Sequence, residues 1–314
     1  MNAYLLVALP APDAREIHLF VDALRRCGAR AVEREGDRFV ALFPWPEDVD
    51  ALVADVRSAV RASTTMDAPD PTWERLSREE WAARWRSEQA ARRITRRIVV
   101  APVGVPLPSA GERVAGDSEG TEHTGHGVVG GVRVGPYDVV IRLDPAVAFG
   151  TAEHATTRAC LALLDGRVRP GDRVLDVGTG SGILAVAAAR LGAGGVLALE
   201  SDPVACDAAR RNAEANAVAD RVEVRERTVA RRDLRKFGRF DGVVINIEAR
   251  VSAPLVPVVP AALRPGGWFI LSGVVGGERS DAVAAAEAAG LALTEERPER
   301  GWWSGAFERV GRDG

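Results

Sequence analysis

The sequence predicts an α/β protein: a doubly wound, seven-stranded sheet preceded by a smaller α+β domain. Three observations carry this reading. From Arg173 onward, short apolar strand patterns alternate with helical ones. The last two strands follow each other closely, as in an antiparallel hairpin. Residues 1–63 close a strand–helix–strand–strand–helix pattern of their own.

With 314 residues the chain can hold two domains, and its 46% hydrophobic and 27% charged content suits a substantial core. No apolar run approaches the roughly 18 residues of a membrane span. The start lacks the basic lead and small-residue cleavage site of a signal peptide. Cys27, Cys160 and Cys206 are too few and scattered for a disulfide framework, so a cytoplasmic protein is expected. A net charge of −3 exerts no overall pull on nucleic acid, and neither nucleic-acid nor membrane binding is expected.

Ala3 to Ala8 alternates as a strand. Asp13 to Cys27 has helical spacing through Ile17, Phe20, Val21 and Leu24, with Asp13 as N-cap. Ala31–Glu35 and Arg38–Phe43 form a hairpin around Gly36, and Pro46 to Ala62 is a second amphipathic helix. Together these make most of a ferredoxin-like half-sandwich. Residues 64–97 read as a linker with a helix from Pro71 through Ala91, pinned to a neighbouring domain by Trp73, Trp81 and Trp85. The cluster Arg84, Arg86, Arg92, Arg93, Arg96 and Arg97 is a solvated face or a grip on an acidic or RNA-bearing partner. Residues 104–131, rich in Gly, Ser, Pro and Thr, read as a mobile loop. Its His123 and His126 lack a third ligand nearby, so no metal is expected. Tyr137–Leu143 is a strand. The strands Arg173–Val177, Val196–Leu199, Arg221–Val224, Gly242–Ile245, Trp268–Ser272, Ala292–Glu296 and Trp303–Val310 then build the sheet of a domain spanning residues 98–314.

Chemistry concentrates at Asp176-Val177-Gly178-Thr179-Gly180-Ser181-Gly182. Strand, glycine loop and helix in succession present backbone N–H groups to a ligand, and the Rossmann-like arrangement places that ligand outside the carboxyl ends of the strands. A dinucleotide fingerprint requires a third glycine where this chain has Ile183. The acid at Asp176 suits a cationic ligand such as S-adenosylmethionine better than a pyrophosphate. Glu200, 22 residues after Gly178, ends the second strand and can accept both ribose hydroxyls of a nucleoside. Asn246 ends the strand Val243–Ile245 and suits orienting an amine nucleophile or holding the methionine moiety. Thr156 or Thr157 caps the helix before the first core strand and offers a hydroxyl to the ligand. His154 is a structural hydrogen-bonder there, a substrate contact or a base.

The glycine loop together with Glu200-Ser201-Asp202-Pro203 resembles the class I S-adenosylmethionine-dependent methyltransferases. Further motifs resemble the PrmA family within them, which methylates the eleventh protein of the large ribosomal subunit. These are Leu143-Asp144-Pro145 through Phe149-Gly150-Thr151, His154, Thr156-Thr157, Asn212-Ala213-Glu214 with Asn216, Asn246-Ile247, Leu271-Ser272-Gly273, and Trp81 with Trp85. The resemblance spans essentially the whole chain. It implies that residues 1–63 dock the ribosomal protein and that the enzyme N-methylates lysine or N-terminal amines; a monomer is expected. It places cofactor contacts on Thr157, Gly178, Glu200 and Asn246, beside Asp176, Gly180 and Gly182 of the loop, and makes Asn246 and His154 the candidate catalytic residues. The chain departs from the family at Glu200, where an Asp is commoner, at Ala152-Glu153, at Glu248, and in the length of residues 104–131. Glu153 and Glu248 bring negative charge towards the acceptor. Other readings are methylation of another protein, RNA or a small amine, or adenosylmethionine binding without turnover.

Overall fold

The computed structural model describes residues 3–13, 16–29, 31–35, 37–66, 70–77, 80, 91–106, 127–144, 152 and 154–310. The chain divides into two compact units, Met1–Glu88 and Gln89–Gly314.

The first unit runs β1 (Ala3–Pro10), α1 (Ile17–Arg26), β2 (Ala31–Glu35), β3 (Arg38–Pro44), α2 (Val49–Ser63) and β4 (Thr72–Ser77). Its sheet has the order β2-β3-β1-β4 with antiparallel neighbours, and Leu5, Val7, Phe39 and Phe43 pack against Phe20, Leu24, Val56 and Val60 of the helices. The Asp48 carboxylate accepts the Ala51 N–H at 3.0 Å and starts α2. Asp13, expected to cap α1, lies outside the helix: Glu16 holds the N-cap position without a side-chain cap.

The helix expected from Pro71 to Ala91 is corrected over residues 72–77, which form β4. This strand pairs with β1 from Ala3↔Ser77 to Ala8↔Thr72. Helix propensity is a weak preference, and the open backbone groups of β1 offer a full ladder to Thr72 and Trp73, residue types that favour strands. The sheet is thereby completed, and the compact unit extends past the boundary expected at residue 63. Trp81, Trp85, Arg84 and Arg86 lie outside the described residues.

The second unit opens with β5 (Arg92–Arg93), β6 (Ile98–Pro102), the hairpin β7 (Gly127–Val129) and β8 (Val132–Val134), and β9 (Val139–Leu143). Strands β5, β6 and β9 form a small sheet in that order. The loop expected at 104–131 thus ends in a hairpin, while His123 and His126 fall outside the described residues. Two of the clustered arginines are internal clamps: Arg93 reaches both carboxylate oxygens of Asp138 at 2.6 and 3.0 Å, and Arg97 pairs with Asp165 at 2.7 Å.

The main body follows as α3 (Ala155–Arg167), β10 (Arg173–Val177), α4 (Ile183–Leu191), β11 (Gly195–Glu200), α5 (Pro203–Ala215), β12 (Val222–Glu226), β13 (Phe240–Asn246), the short α6 (Ala249–Ser252) and α7 (Val259–Ala262), β14 (Leu263–Val275), α8 (Arg279–Ala288), β15 (Leu291–Glu299) and β16 (Trp302–Arg309). The seven strands lie in the order β12-β11-β10-β13-β14-β16-β15, and β16 alone runs against its neighbours. The strand order reverses beside β10, where an open α/β sheet presents its ligand crevice. One face packs Val174, Val196, Val244 and Ile270 against α3 and α4. The other packs Leu175, Leu197, Ile245 and Phe269 against α7 and α8. No described helix is long and apolar enough to cross a membrane.

Candidate active site

Strands β10, β11 and β13 are adjacent and parallel, so Asp176, Gly178, Gly180, Gly182, Glu200 and Asn246 gather at three neighbouring carboxyl ends. Gly178, Gly180 and Gly182 have φ values of 75°, 54° and 81°, a left-handed backbone that favours glycine. Space excludes a side chain as well: a Cβ on Gly178 would lie 2.3 Å from Cγ2 of Ile247, and one on Gly182 would lie 2.9 Å from Cα of Ala209. The N–H groups of Gly178 and Thr179 donate to the Leu199 carbonyl at 2.8 and 3.1 Å, which seats the loop across β11.

Glu200 reaches back to this loop. One carboxylate oxygen accepts the Gly180 N–H at 2.9 Å, and the other accepts the N–H groups of Ser201 and Asp202 at 2.7 and 3.0 Å. A carboxylate has about four lone-pair positions, so these bonds leave capacity for a ribose hydroxyl while tying Glu200 to the loop's shape. Asp176 is 1% exposed; its Oδ2 accepts the Thr179 hydroxyl at 2.6 Å and its Oδ1 has no partner among the described residues. Burial pushes its carboxyl up to about 7; the Thr179 hydroxyl opposes this and the Glu200 charge adds to it.

Among the described residues, three buried oxygens here lack hydrogen-bond partners: Asp176 Oδ1, Asn246 Oδ1 and Thr157 Oγ1. Buried polar atoms are rarely orphaned, and each asks for a donor. S-adenosylmethionine carries an ammonium group, two ribose hydroxyls and an adenine amine, so it brings donors of the kind that Asp176 Oδ1 and Thr157 Oγ1 lack.

His154, not either threonine, holds the N-cap position of α3. Its Nδ1 lies 2.7 Å from the Thr156 hydroxyl and accepts the Thr156 N–H at 3.4 Å. With Nδ1 accepting, the ring proton is assigned to Nε2, which makes the imidazole a donor rather than a base. Its other face meets the Trp302 ring edge-on at a centroid distance of 5.2 Å. Trp302 escaped the sequence reading. The signal was present in Trp302-Trp303 after a glycine turn, since strand alternation buries Trp303 and turns Trp302 the other way. Arg158 of α3 pairs with Glu299 of the same hairpin. Glu248, expected to add negative charge, pairs with Arg250 at 2.7 Å. Glu153 and the segment from Pro145 to Thr151 lie outside the described residues.

The family model described as ribosomal protein L11 methyltransferase (PrmA) matches residues 131–309. A ribosomal protein L11 methyltransferase of Pelotomaculum thermopropionicum is 44% identical over 236 residues, which cover 75% of this chain and 67% of that protein. One from Pelobacter propionicus is 32% identical over 283 residues, covering 87% and 82%. The crystal structure of a ribosomal protein L11 methylase from Lactobacillus delbrueckii subsp. bulgaricus, 26% identical, superposes with a TM-score of 0.55 over 71% of this chain and 100% of that one. A model that accounts for more than half of the sequence, and for the part that holds the glycine loop, makes this chain a member of the PrmA family.

Proposed function

We propose that this enzyme transfers the methyl group of S-adenosylmethionine to lysine or N-terminal amines of ribosomal protein L11, acting as a cytoplasmic monomer. The observation that carries the reading is the set of partnerless acceptors around the glycine cradle, in a chain of the PrmA family. When bound, S-adenosylmethionine supplies an activated sulfonium methyl. The chain's own work is therefore placement more than bond polarisation. Gly178, Gly180 and Gly182 admit the ligand to the backbone. Asp176 Oδ1 takes a donor from the ligand's cationic end, Thr157 offers its hydroxyl, and the remaining lone pair of Glu200 receives a ribose hydroxyl. Asn246 Oδ1 accepts an N–H of the acceptor amine and so turns its lone pair towards the methyl carbon. His154, donating through Nε2 and held against Trp302, shapes the acceptor side.

The first unit serves as the docking module for the ribosomal protein, which its separate compact core supports. The sequence Asn246-Ile247-Glu248-Ala249 lacks the aromatic that would stack a flipped base, and Arg93 and Arg97 are engaged in ion pairs; both weigh against RNA as acceptor. Incubation with methyl-labelled S-adenosylmethionine, purified L11 and ribosomal RNA tests this. Label is expected on L11 amines, and label confined to RNA would overturn the reading.

A further inference from the structure

The cofactor loop and the segment leading to His154 and Thr157 meet at one side chain of α5. Asn212 is 0% exposed. Its Nδ2 donates to the Ser181 carbonyl at 2.8 Å, and its Oδ1 accepts the Asp144 N–H at 2.7 Å. Ser181 lies in the glycine loop, and Asp144 is where the chain leaves β9 towards α3. The same helix touches the loop again at Ala209, which leaves no room for a Cβ on Gly182.

One turn later Asn216 makes a different set of bonds. Its Oδ1 accepts the Arg142 N–H at 2.7 Å, and its Nδ2 donates to the carbonyls of Arg142 at 2.6 Å and Asn212 at 2.7 Å. Asn216 thus serves the β9 backbone as a neighbouring strand would, and it makes no bond to the glycine loop. The two asparagines, one in α5 and one at its C-cap, share a chemistry and deep burial. Only one bridges to the loop.

We propose that Asn212 is a positioning residue for methyl transfer: its carboxamide holds the glycine loop and the outgoing end of β9 in one frame, so that cofactor and acceptor elements stay in register. A carboxamide is suited to this because it offers donor and acceptor on one rigid plane, both needed here with water excluded. The inference rests on the methyltransferase reading of the glycine loop.

The test compares Asn212→Ala, Asn212→Asp and Asn216→Ala in the full chain. S-adenosylmethionine affinity is measured by calorimetry, steady-state constants with L11, thermal stability, and amide exchange over residues 178–184. Asn212→Asp keeps the acceptor for Asp144 but loses the donor to Ser181, so it should weaken cofactor binding about tenfold and speed exchange in the loop. Asn212→Ala should do both and also lower kcat. Asn216→Ala should reduce Tm comparably yet leave cofactor affinity and kcat within about twofold of wild type. If Asn212→Ala yields no folded protein, Asn212→Asp against Asn216→Ala decides alone. Equal losses of affinity and kcat in the variants at both positions would overturn the proposal, as would unchanged affinity in Asn212→Asp. A wild-type chain that binds no S-adenosylmethionine would instead overturn the reading beneath it.

Discussion

The two ends of the seven-stranded sheet treat their carboxylates in opposite ways. At the amino end, Asp241 opens β13, accepts the Arg173 N–H at 2.8 Å, and takes the Arg264 guanidinium on both oxygens at 2.7 and 2.8 Å. Burial raises its carboxyl, but these donors outweigh that and hold it below the usual range. At the carboxyl end, Asp176 of the adjacent β10 accepts the Thr179 hydroxyl and has an oxygen with no hydrogen-bond partner among the described residues. Burial pushes its carboxyl up to about 7 against the pull of Thr179 and the Ala185 backbone. A cavity of about 420 Å³ lies at the amino end, lined by Arg167, Asp241, Arg264 and Glu295 among others, and these four are joined as Arg167–Glu295 and Arg264–Asp241 ion pairs. Hollow space alone therefore does not mark the functional end. A cluster of unpartnered acceptors does; at the amino-end cavity the buried polar atom without a partner among the described residues is a single donor, the Trp268 indole N–H.

The two ends differ most visibly at their glycines. Gly178→Val should abolish S-adenosylmethionine binding by calorimetry, since the side chain meets Ile247 and the backbone sits at φ 75°. Gly266 at the amino end has φ 70° with open space where a Cβ would go; Gly266→Ala should cost only about 1 kcal/mol of backbone strain and leave binding unchanged. Normal binding in Gly178→Val would remove the glycine loop from the site. Next in size, Asn246→Ala should lower kcat about 10²-fold with little loss of stability, because the oxygen it deletes is already unpartnered. Asp241→Ala should do the reverse, losing about 1–2 kcal/mol in denaturant unfolding while kcat/KM holds, the half-exposed Arg264 limiting the cost. Equal effects of the two variants on kcat would erase the distinction between the ends.

Asp176 sharpens the contrast through pH. Its folded-state carboxyl is raised from 3.8 to about 7, so the native state binds the extra proton. Stability from this group is fully present below pH 3.8 and is lost as pH rises to about 7, a change on the order of 4 kcal/mol at most. Asp176→Asn should flatten that decline in urea titrations of the ligand-free protein. A cationic ligand favours the ionised form, so binding near pH 6 should release protons, detected as a dependence of the calorimetric heat on buffer ionisation enthalpy. Proton uptake on binding would contradict the placement of Asp176 beside the ligand's positive charge.

The legibility of these features in the sequence followed their locality. The strands around β10 could be read because both faces are buried, which makes Val174-Leu175 and Val243–Ile245 short apolar stretches, the first broken only by Asp176 before Val177. Strand β4 was hidden because Thr72–Arg75 are exposed, leaving no apolar alternation, and its partner β1 lies some seventy residues earlier. The glycine loop and Glu200 were legible as a local motif. That Glu200 also clamps Gly180 was not, since a side chain's return to the loop leaves no trace in spacing. His154 and Trp302 meet only through the fold, and Asn212 draws its two partners from separate elements.

The smallest effect belongs to His154, and it separates a helix cap from a base. Asparagine is among the best N-cap residues and can accept the Thr156 N–H as the imidazole does, but it cannot titrate near neutrality or meet the Trp302 ring edge-on. If Nδ1 accepts from Thr156, the imidazole never holds a free acceptor on Nε2, and no proton from the acceptor amine passes through it. His154→Asn should then unfold within about 0.5 kcal/mol of wild type and lose less than about tenfold in kcat, reflecting only the lost ring contact. The pH profile of kcat/KM should keep its shape, because the group that titrates is the substrate amine. His154→Ala removes the cap as well and should cost about 1 kcal/mol of stability. A His154→Asn enzyme that folds normally but loses the acidic limb of its pH profile, with a drop in kcat above 10²-fold, would make His154 the base and reverse the tautomer assigned from Thr156.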